Sequence, residues 1–437
     1  MTPNQQNRRG RIDLARQARL LPVLNHAWQS VEARARGSKD KQAQTALARI
    51  KENPARALKE IAYQLKAGTF VFEAQRGVLK KRRGGKKSRP IVVAPIVNRI
   101  VQRAILDVCQ SETRSLRREL GRLPDVVDCP TSVGGLPRRG VPEAIALIMR
   151  SMDEGAKWFV RSDLKDFFTH IPKPLIRTFL LDNIADVAFV DLFMAALETE
   201  LSNPEAVREW IDLFPLGDEG VPQGSALSAL CANIVLHEFD KQLNGRGVTT
   251  VRYLDDFVIL APTKKAADKT WKRAATILKL LGLEAHDPAL NTGKAAQGEI
   301  KDGFAFLSFQ IGHRQFAPSR EAKTKFLDDL QKTIREAKKQ IVQLGVPARR
   351  AEPAFVQSLA LVDRKVRGWG DAFRSTTQRN EFDQLDREID RLIDGYLRWF
   401  REKTRSAAPR ERRRKMGIAV LLDTQHPNPK DPSGVAV

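Results

Sequence analysis

The sequence predicts an α+β fold in which short antiparallel strands carry the chemistry and helices make up most of the remaining chain. Three observations predict it. The run Val251-Arg252-Tyr253-Leu254-Asp255-Asp256-Phe257-Val258-Ile259-Leu260 reads as two apolar, β-prone segments joined at adjacent carboxylates, a hairpin with acid at its turn. A second strand-like segment, Trp158-Phe159-Val160-Arg161-Ser162-Asp163, also ends on an aspartate. Toward both ends of the chain, apolar residues instead repeat at helical spacing: Leu20, Leu21, Leu24, Trp28 and Val31 early, Phe326, Leu330, Ile334, Ala337 and Ile341 late.

Composition bounds the function. A chain of 437 residues with 42% hydrophobic content can bury real cores, in about two to four structural units. The 75 Lys and Arg outnumber the 52 Asp and Glu, leaving a net charge of +23, and such a field favours polyanions, nucleic acid first among them. No run reaches the roughly 18 apolar residues of a membrane span, and the polar start from Met1 to Arg11 is no signal peptide, so a cytoplasmic location without a membrane partner is expected. Cys109, Cys129 and Cys231 lack metal-ligand spacing and read as reduced thiols. The six histidines form no HxxxH or HExxH pattern, so no zinc site is expected.

Taken in order, residues 1 to about 67 read as helical, with Asn53-Pro54 suited to a helix start and Gly68 closing the segment. Thr69 to Phe72 is strand-like. From Arg76 to Arg89 come eight basic residues and no acid, with Gly84-Gly85 as a turn leading into the strand Pro90-Ile91-Val92-Val93. This is a cationic hairpin suited to gripping phosphates, or else a solvated face. A helix follows from Asn98 to about Cys109, and the Pro- and Gly-rich stretch Arg122 to Pro142 reads as loop. Residues 175 to 213 are helical again. Gly220-Val221-Pro222-Gln223-Gly224-Ser225 is a glycine-bracketed loop before an apolar helix, Ala226 to Phe239, and its glycines let backbone approach a phosphate or base closely.

Lys264 to Leu281 is an amphipathic helix ended by Gly282, and Gly303 to Ile311 alternates as a half-buried strand. Ser319 is an N-cap candidate opening three helices, marked by Phe326 to Ile341, Val356 to Val366 and Phe382 to Tyr396. The cationic stretch from Arg401 to Lys415 follows, and the Pro-rich end is expected to be mobile.

Aspartates set between apolar strands are costly unless a cation compensates them. The pair Asp255-Asp256 is therefore a candidate ligand for Mg²⁺, a hard ion that takes oxygen donors, although a solvated turn is the plain alternative. Two divalent ions about 3.5–4 Å apart can clamp the attacking and leaving oxygens of a phosphoryl displacement. That chemistry needs carboxylates converging from separate rigid strands, as Asp163 and Asp255 would, with Asp256 in support. Lys80, Lys81 and Arg89 are the candidate partners for a triphosphate.

These features in this order resemble a bacterial reverse transcriptase of the group II intron-related lineage, over about residues 20 to 400. Val160 to Phe168 resembles motif A, Gly220 to Asn233 resembles motif B, and Tyr253-Leu254-Asp255-Asp256 resembles the Tyr-x-Asp-Asp box. Lys80 to Gln102 resembles the fingers segment, Phe304 to Phe309 the Phe-Leu-Gly-Phe strand, and Arg367-Gly368-Trp369-Gly370 a thumb segment. The resemblance implies a right-hand polymerase: an N-terminal extension (1–68), fingers (69–157), a palm with an antiparallel sheet (158–315, helical insertion 175–215), a helical thumb (316–403) and a basic mobile tail (404–437). It also implies RNA-templated DNA synthesis from dNTPs with two Mg²⁺ ions, replaceable by Mn²⁺, and either a monomer or a homo-oligomer is consistent with it. By resemblance, Asp163, Asp255 and Asp256 hold metal and the Leu164 carbonyl adds a ligand. Arg89 contacts the triphosphate, Gln223 and Gly224 line the nascent base pair, and Phe168 selects the sugar, with Phe167 left to the core. Lys294 is either the group protonating pyrophosphate or an exposed loop lysine, and the plain alternative for Phe167 and Phe168 is that both are core.

Several positions depart from the intron pattern. Ser228-Ala229 stands where Ser-Pro is usual, Leu307-Ser308-Phe309 replaces Leu-Gly-Phe, and Leu254 sits where Ala is commonest. The N-terminal Gly-x-Asp-Gly signature is not recognisable around Gly37 to Asp40. The expectation is accordingly a diverged enzyme copying a dedicated noncoding RNA in antiphage defence. The alternatives are a compact intron maturase without an endonuclease and an RNA-binding scaffold without activity. Three kept acids argue against the scaffold.

Overall fold

A computed structural model describes residues 11–38, 40–80, 88–290, 292–343 and 355–423. The chain divides into two compact units, residues 1–299 and 300–437. No helix among the described residues is long and apolar enough to cross a membrane.

The first unit opens with helices Leu14–Ala18, Leu21–Ala35, Lys41–Glu52 and Pro54–Ala67. The Asn53 side chain accepts the Arg56 N–H at 3.0 Å and Gly68, at φ 70°, ends the last of these, as its sequence signals require. Leu24, Trp28 and Val31 bury their shared stripe in a core that also holds Ile100, Val101 and Ile105 of helix Ile96–Cys109. Strands β1 (Arg76–Lys80) and β2 (Arg89–Val93) pair antiparallel, with Lys80 opposite Arg89. Residues 81–87, the expected cationic tip and Lys81 with it, lie outside the described residues.

A four-stranded antiparallel sheet positions the site. Its strands are β3 (Trp158–Asp163), β4 (Thr249–Tyr253), β5 (Asp256–Ala261) and β6 (Ala296–Glu299), in the order β4-β5-β3-β6. Central β5 is paired on both edges, and Phe257 to Ala261 are wholly buried. Helices Val141–Asp153, His237–Leu243 and Lys264–Leu280 pack on the sheet, with Phe257 edge-on to Phe239 and stacked near Trp271.

Among the described residues the structure departs from the sequence expectation in several places. Thr69 to Phe72 is irregular rather than a strand; no strand among the described residues pairs with it, and the Asn98 side chain takes a partner's part, bonding the Glu73 N–H and C=O at 3.1 and 2.8 Å. The Arg122 to Pro142 loop contains a helix, Leu123–Val127, and its residues 131–133 run along the outer edge of β4. The Ala226 to Phe239 helix breaks at Leu236 into Ser228–Val235 and His237–Leu243. Gly303 to Ile311 is a hairpin, not one strand.

That last difference has a legible cause. Buried Phe304, Phe306, Phe309 and Ile311 change parity between 306 and 309, so the strand must turn there. Leu307 and Ser308 form the turn at φ 48° and 70°. Strands β7 (Phe304–Phe306), β8 (Phe309–Gly312) and β9 (Gln315–Pro318) make the sheet of the second unit. Its helices are Arg320–Gln343, Phe355–Ala372 and Arg379–Lys403, the first begun by Ser319 accepting the Ala322 N–H at 3.2 Å. Phe326 stacks on Trp369, and Phe355 on Phe400. The basic stretch after Lys403 includes a helix, Pro409–Met416, while residues from 424 onward lie outside the described residues.

Candidate active site

Asp163 is the last residue of β3 and Asp256 the first of β5, and the two are cross-strand partners. Asp256 also faces Tyr253 across the β4–β5 hairpin, leaving Leu254 and Asp255 as the turn. Leu254 takes the left-handed conformation, φ 58°, that closes so short a hairpin. One oxygen from each of Asp163, Asp255 and Asp256 lies within 4.8 Å of the others. Asp163 is buried, 4% exposed, and the other two are half-buried.

Backbone bonds hold these carboxylates in place. The Leu164 N–H donates to the Asp255 carbonyl and the His286 N–H to the Asp163 carbonyl, both at 3.1 Å. The Ser162 hydroxyl donates to the His286 carbonyl at 2.7 Å. Asp256 is pushed up to about 6, first by burial and then by the charge of Asp255, while Arg161 and Arg89 pull it down. Three clustered, partly desolvated carboxylates with such a shift suit a hard cation that takes oxygen donors, and these residues fit Mg²⁺ or Mn²⁺.

Lys294, which the sequence left open, forms an ion pair with Asp163, so the structure brings it to the cluster. Arg161 was missed. Its guanidinium nitrogens donate to the Gly293 carbonyl at 3.3 and 3.4 Å, tethering the segment that carries Lys294. The signal was available: a charged residue two positions before Asp163 in an apolar strand shares its face.

The other candidates lie around this cluster. Lys80 and Arg89 are exposed partners at the end of β1–β2, and the charge of Arg89 reaches Asp256. Lys81 is outside the described residues. Leu164 is buried and bridged to Ala285. Phe167 is in the core at 2% exposure, whereas Phe168 is half-buried and its carbonyl accepts the Val221 N–H at 2.8 Å. The Val92 N–H donates to the Gln223 carbonyl at 3.0 Å, clipping the glycine-bracketed loop to β2. A Cβ on Gly224 would sit 2.6 Å from the Val92 carbonyl oxygen, so only glycine permits this approach.

The raised Asp256 carboxyl gives a stability prediction for metal-free protein. Its folded pKa stands above the ordinary aspartate value of 3.8, so the fold disfavours the charged form. The penalty is absent below about pH 4, grows as pH rises, and is complete above about pH 6. Asp256→Asn should therefore stabilise the metal-free protein at pH 7.5 by roughly 1–3 kcal/mol, with the gain vanishing near pH 4. Thermal unfolding in chelator across that range checks it, and a gain that persists at pH 4 would contradict the cause given.

Three carboxylates at the ends of paired antiparallel strands make a site suited to divalent cations, and comparison with known proteins gives the family. The model of the reverse transcriptase (RNA-dependent DNA polymerase) family matches residues 78–311, more than half of the chain, and the chain belongs to that family. It is similar to Protein YkfC of Escherichia coli K12, 26% identical over 278 residues, which cover 55% of this chain and 66% of that protein. Group II intron-encoded protein LtrA of Lactococcus lactis subsp. cremoris is 27% identical over 184 residues, 42% of this chain and 28% of the relative. An uncharacterized 91 kDa protein in the cob intron of Schizosaccharomyces pombe is 27% identical over 182 residues, 42% of this chain and 20% of the relative. The chain thus spans slightly under two thirds of the first relative and under a third of the others.

Proposed function

We propose that the protein is an RNA-directed DNA polymerase adding dNTPs to a primer by in-line phosphoryl transfer. The observation that carries this reading is the convergence of Asp163, Asp255 and Asp256 at one end of β3 and β5 in a chain of the reverse transcriptase family. Two Mg²⁺ ions, replaceable by Mn²⁺, would supply Lewis-acid charge at the attacking and leaving oxygens. Asp163 and Asp255 would hold them, with Asp256 and the Leu164 carbonyl in support. Arg89, Lys80 and Lys81 bind the triphosphate, and Gln223 and Gly224 line the nascent pair. Lys294, carried beside Asp163, donates the proton that the leaving pyrophosphate needs. In this reading residues 69–157 are fingers, 158–315 palm and 316–403 thumb. Primer extension on an RNA template with Mg²⁺ or Mn²⁺ tests it, and no dNTP incorporation on RNA or DNA would refute it.

The finer reading is an enzyme that copies a dedicated noncoding RNA in antiphage defence, supported by its departures from the intron pattern at Leu254, Ala229 and Ser308. A compact intron maturase is the second reading, favoured by relatives whose names place them in introns. Sequencing the RNA that copurifies from the native host separates them: a single structured transcript supports the first, intron RNA the second.

Both readings require RNA binding that does not depend on the aspartates. A protein making about 6–10 phosphate contacts loses about 10³–10⁵ in affinity between 50 and 200 mM salt, and with a net charge of +23 this chain should fall near that range. Filter binding across salt measures the slope, and a salt-insensitive complex would argue against phosphate-led recognition.

A further inference from the structure

We propose that Arg252, Asp240, Ser132 and Asn233 are positioning residues that set the turn of the aspartate hairpin, and through it the affinity of Asp255 and Asp256 for a divalent cation. The proposal rests on the reading of that hairpin as a cation site. Arg252 and Asp240 are each 1% exposed, and Arg252 leads the largest fully buried side chains. Its Nε and Nη2 grip both Asp240 oxygens, at 2.7 and 2.5 Å, in the fork geometry of guanidinium on carboxylate. Nη2 also donates to Ser132 Oγ at 2.8 Å. Ser132 Oγ donates to Asn233 Oδ1, and Asn233 Nδ2 to the Gly134 carbonyl, both at 3.0 Å.

The remaining guanidinium nitrogen reaches the turn itself. Nη1 donates to the Leu254 carbonyl at 3.1 Å, which belongs to the peptide just before Asp255. The peptide just after Asp255 is held by the Leu164 N–H on the Asp255 carbonyl. Both peptide planes flanking the aspartate are thereby fixed, and with them the direction of its side chain. The segment behind the turn is braced as well. Val133 N–H donates to the Arg252 carbonyl and Arg252 N–H to the Thr131 carbonyl, both at 2.9 Å. Arg139 collects the carbonyls of Asp128, Cys129 and Ser132. Gly134 lies so close that a Cβ would stand 2.6 Å from the Leu254 nitrogen.

Stability is a poor explanation for such a network. A buried ion pair is often no more stabilising than apolar side chains of similar volume. An apolar residue cannot, however, orient the Leu254 carbonyl. A left-handed leucine at a hairpin tip needs that constraint, since nothing in its own conformational preference supplies it.

The test uses the full-length protein freed of nucleic acid. Arg252→Met/Asp240→Leu removes the whole pair and leaves no lone buried charge, and Arg252→Lys keeps the charge but loses the fork. Mn²⁺ binding is followed by electron paramagnetic resonance, and unfolding is followed separately in chelator. Folded variants should bind Mn²⁺ about 10–100-fold more weakly than the parent, and their dNTP incorporation in Mg²⁺ should recover in part at high Mn²⁺. Should the double variant fail to fold, Arg252→Lys carries the same expectation. A variant that melts earlier yet binds Mn²⁺ as the parent does would overturn the proposal and make the network structural only. Equal Mn²⁺ binding by the parent and by Asp255→Asn/Asp256→Asn would instead refute the cation-site reading itself, and the proposal with it.

Discussion

Replacing both hairpin carboxylates, Asp255→Asn with Asp256→Asn, should reduce dNTP incorporation by at least about 10³-fold while the protein stays folded. Charge stabilisation at a transferring phosphoryl group is worth several kcal/mol, and each 1.36 kcal/mol is a factor of ten in rate. Asparagine keeps the shape but removes the charge that recruits the cations. The fold has no need of those charges, because the turn is held through its carbonyls: the Leu164 N–H on that of Asp255 and the Arg252 guanidinium on that of Leu254. Relief of the raised Asp256 carboxyl should even favour the metal-free fold. Single-nucleotide incorporation and a chelator melting curve on the same preparation read both halves. Undiminished incorporation by the double variant would remove these aspartates from the site.

Phe168→Ala should keep dNTP incorporation and gain ribonucleotide use, with discrimination falling on the order of 10–100-fold. Phe168 follows the Asp163 strand end by five positions and is half-buried, and its carbonyl bonds Val221 at the start of the glycine-bracketed loop. A ring lying under the sugar would meet a 2′-OH with its edge and offer no hydrogen-bond partner, a penalty of about 1–3 kcal/mol. Phe167→Ala makes the control. Its ring is 2% exposed and packed in the core, so the substitution should cost about 3–5 kcal/mol of stability through a cavity and leave sugar choice unchanged. Competition between dNTP and rNTP at one template position measures the ratio. A folded, polymerising Phe168→Ala that rejects rNTPs like the parent would rule out the sugar role.

The elements that the sequence determined by itself are those whose signal is local. The short apolar, β-prone runs around Asp163 and Asp255-Asp256 specify strands because a run of β-branched and aromatic residues is a property of adjacent positions. Asn53-Pro54, Gly68 and Ser319 specify helix ends in the same way, through bonds that span three or four positions. Tertiary structure decided what depends on distant partners. Thr69 to Phe72 had strand propensity, but Asn98 took up the backbone of the adjoining Glu73, and no strand among the described residues pairs with the segment. Arg252 read as one more residue of a β-run, and its burial depends on Asp240 and Ser132, 12 and 120 positions away. Whether Lys294 stands near Asp163 or away from it was likewise fixed by strand order, not by local sequence. β6 pairs with β3, which sets the Lys294 segment beside Asp163, and Arg161 holds it there through the Gly293 carbonyl. Local pattern encodes which face is buried and where the chain turns, whereas the partner of a buried polar group is chosen only when the sheet assembles.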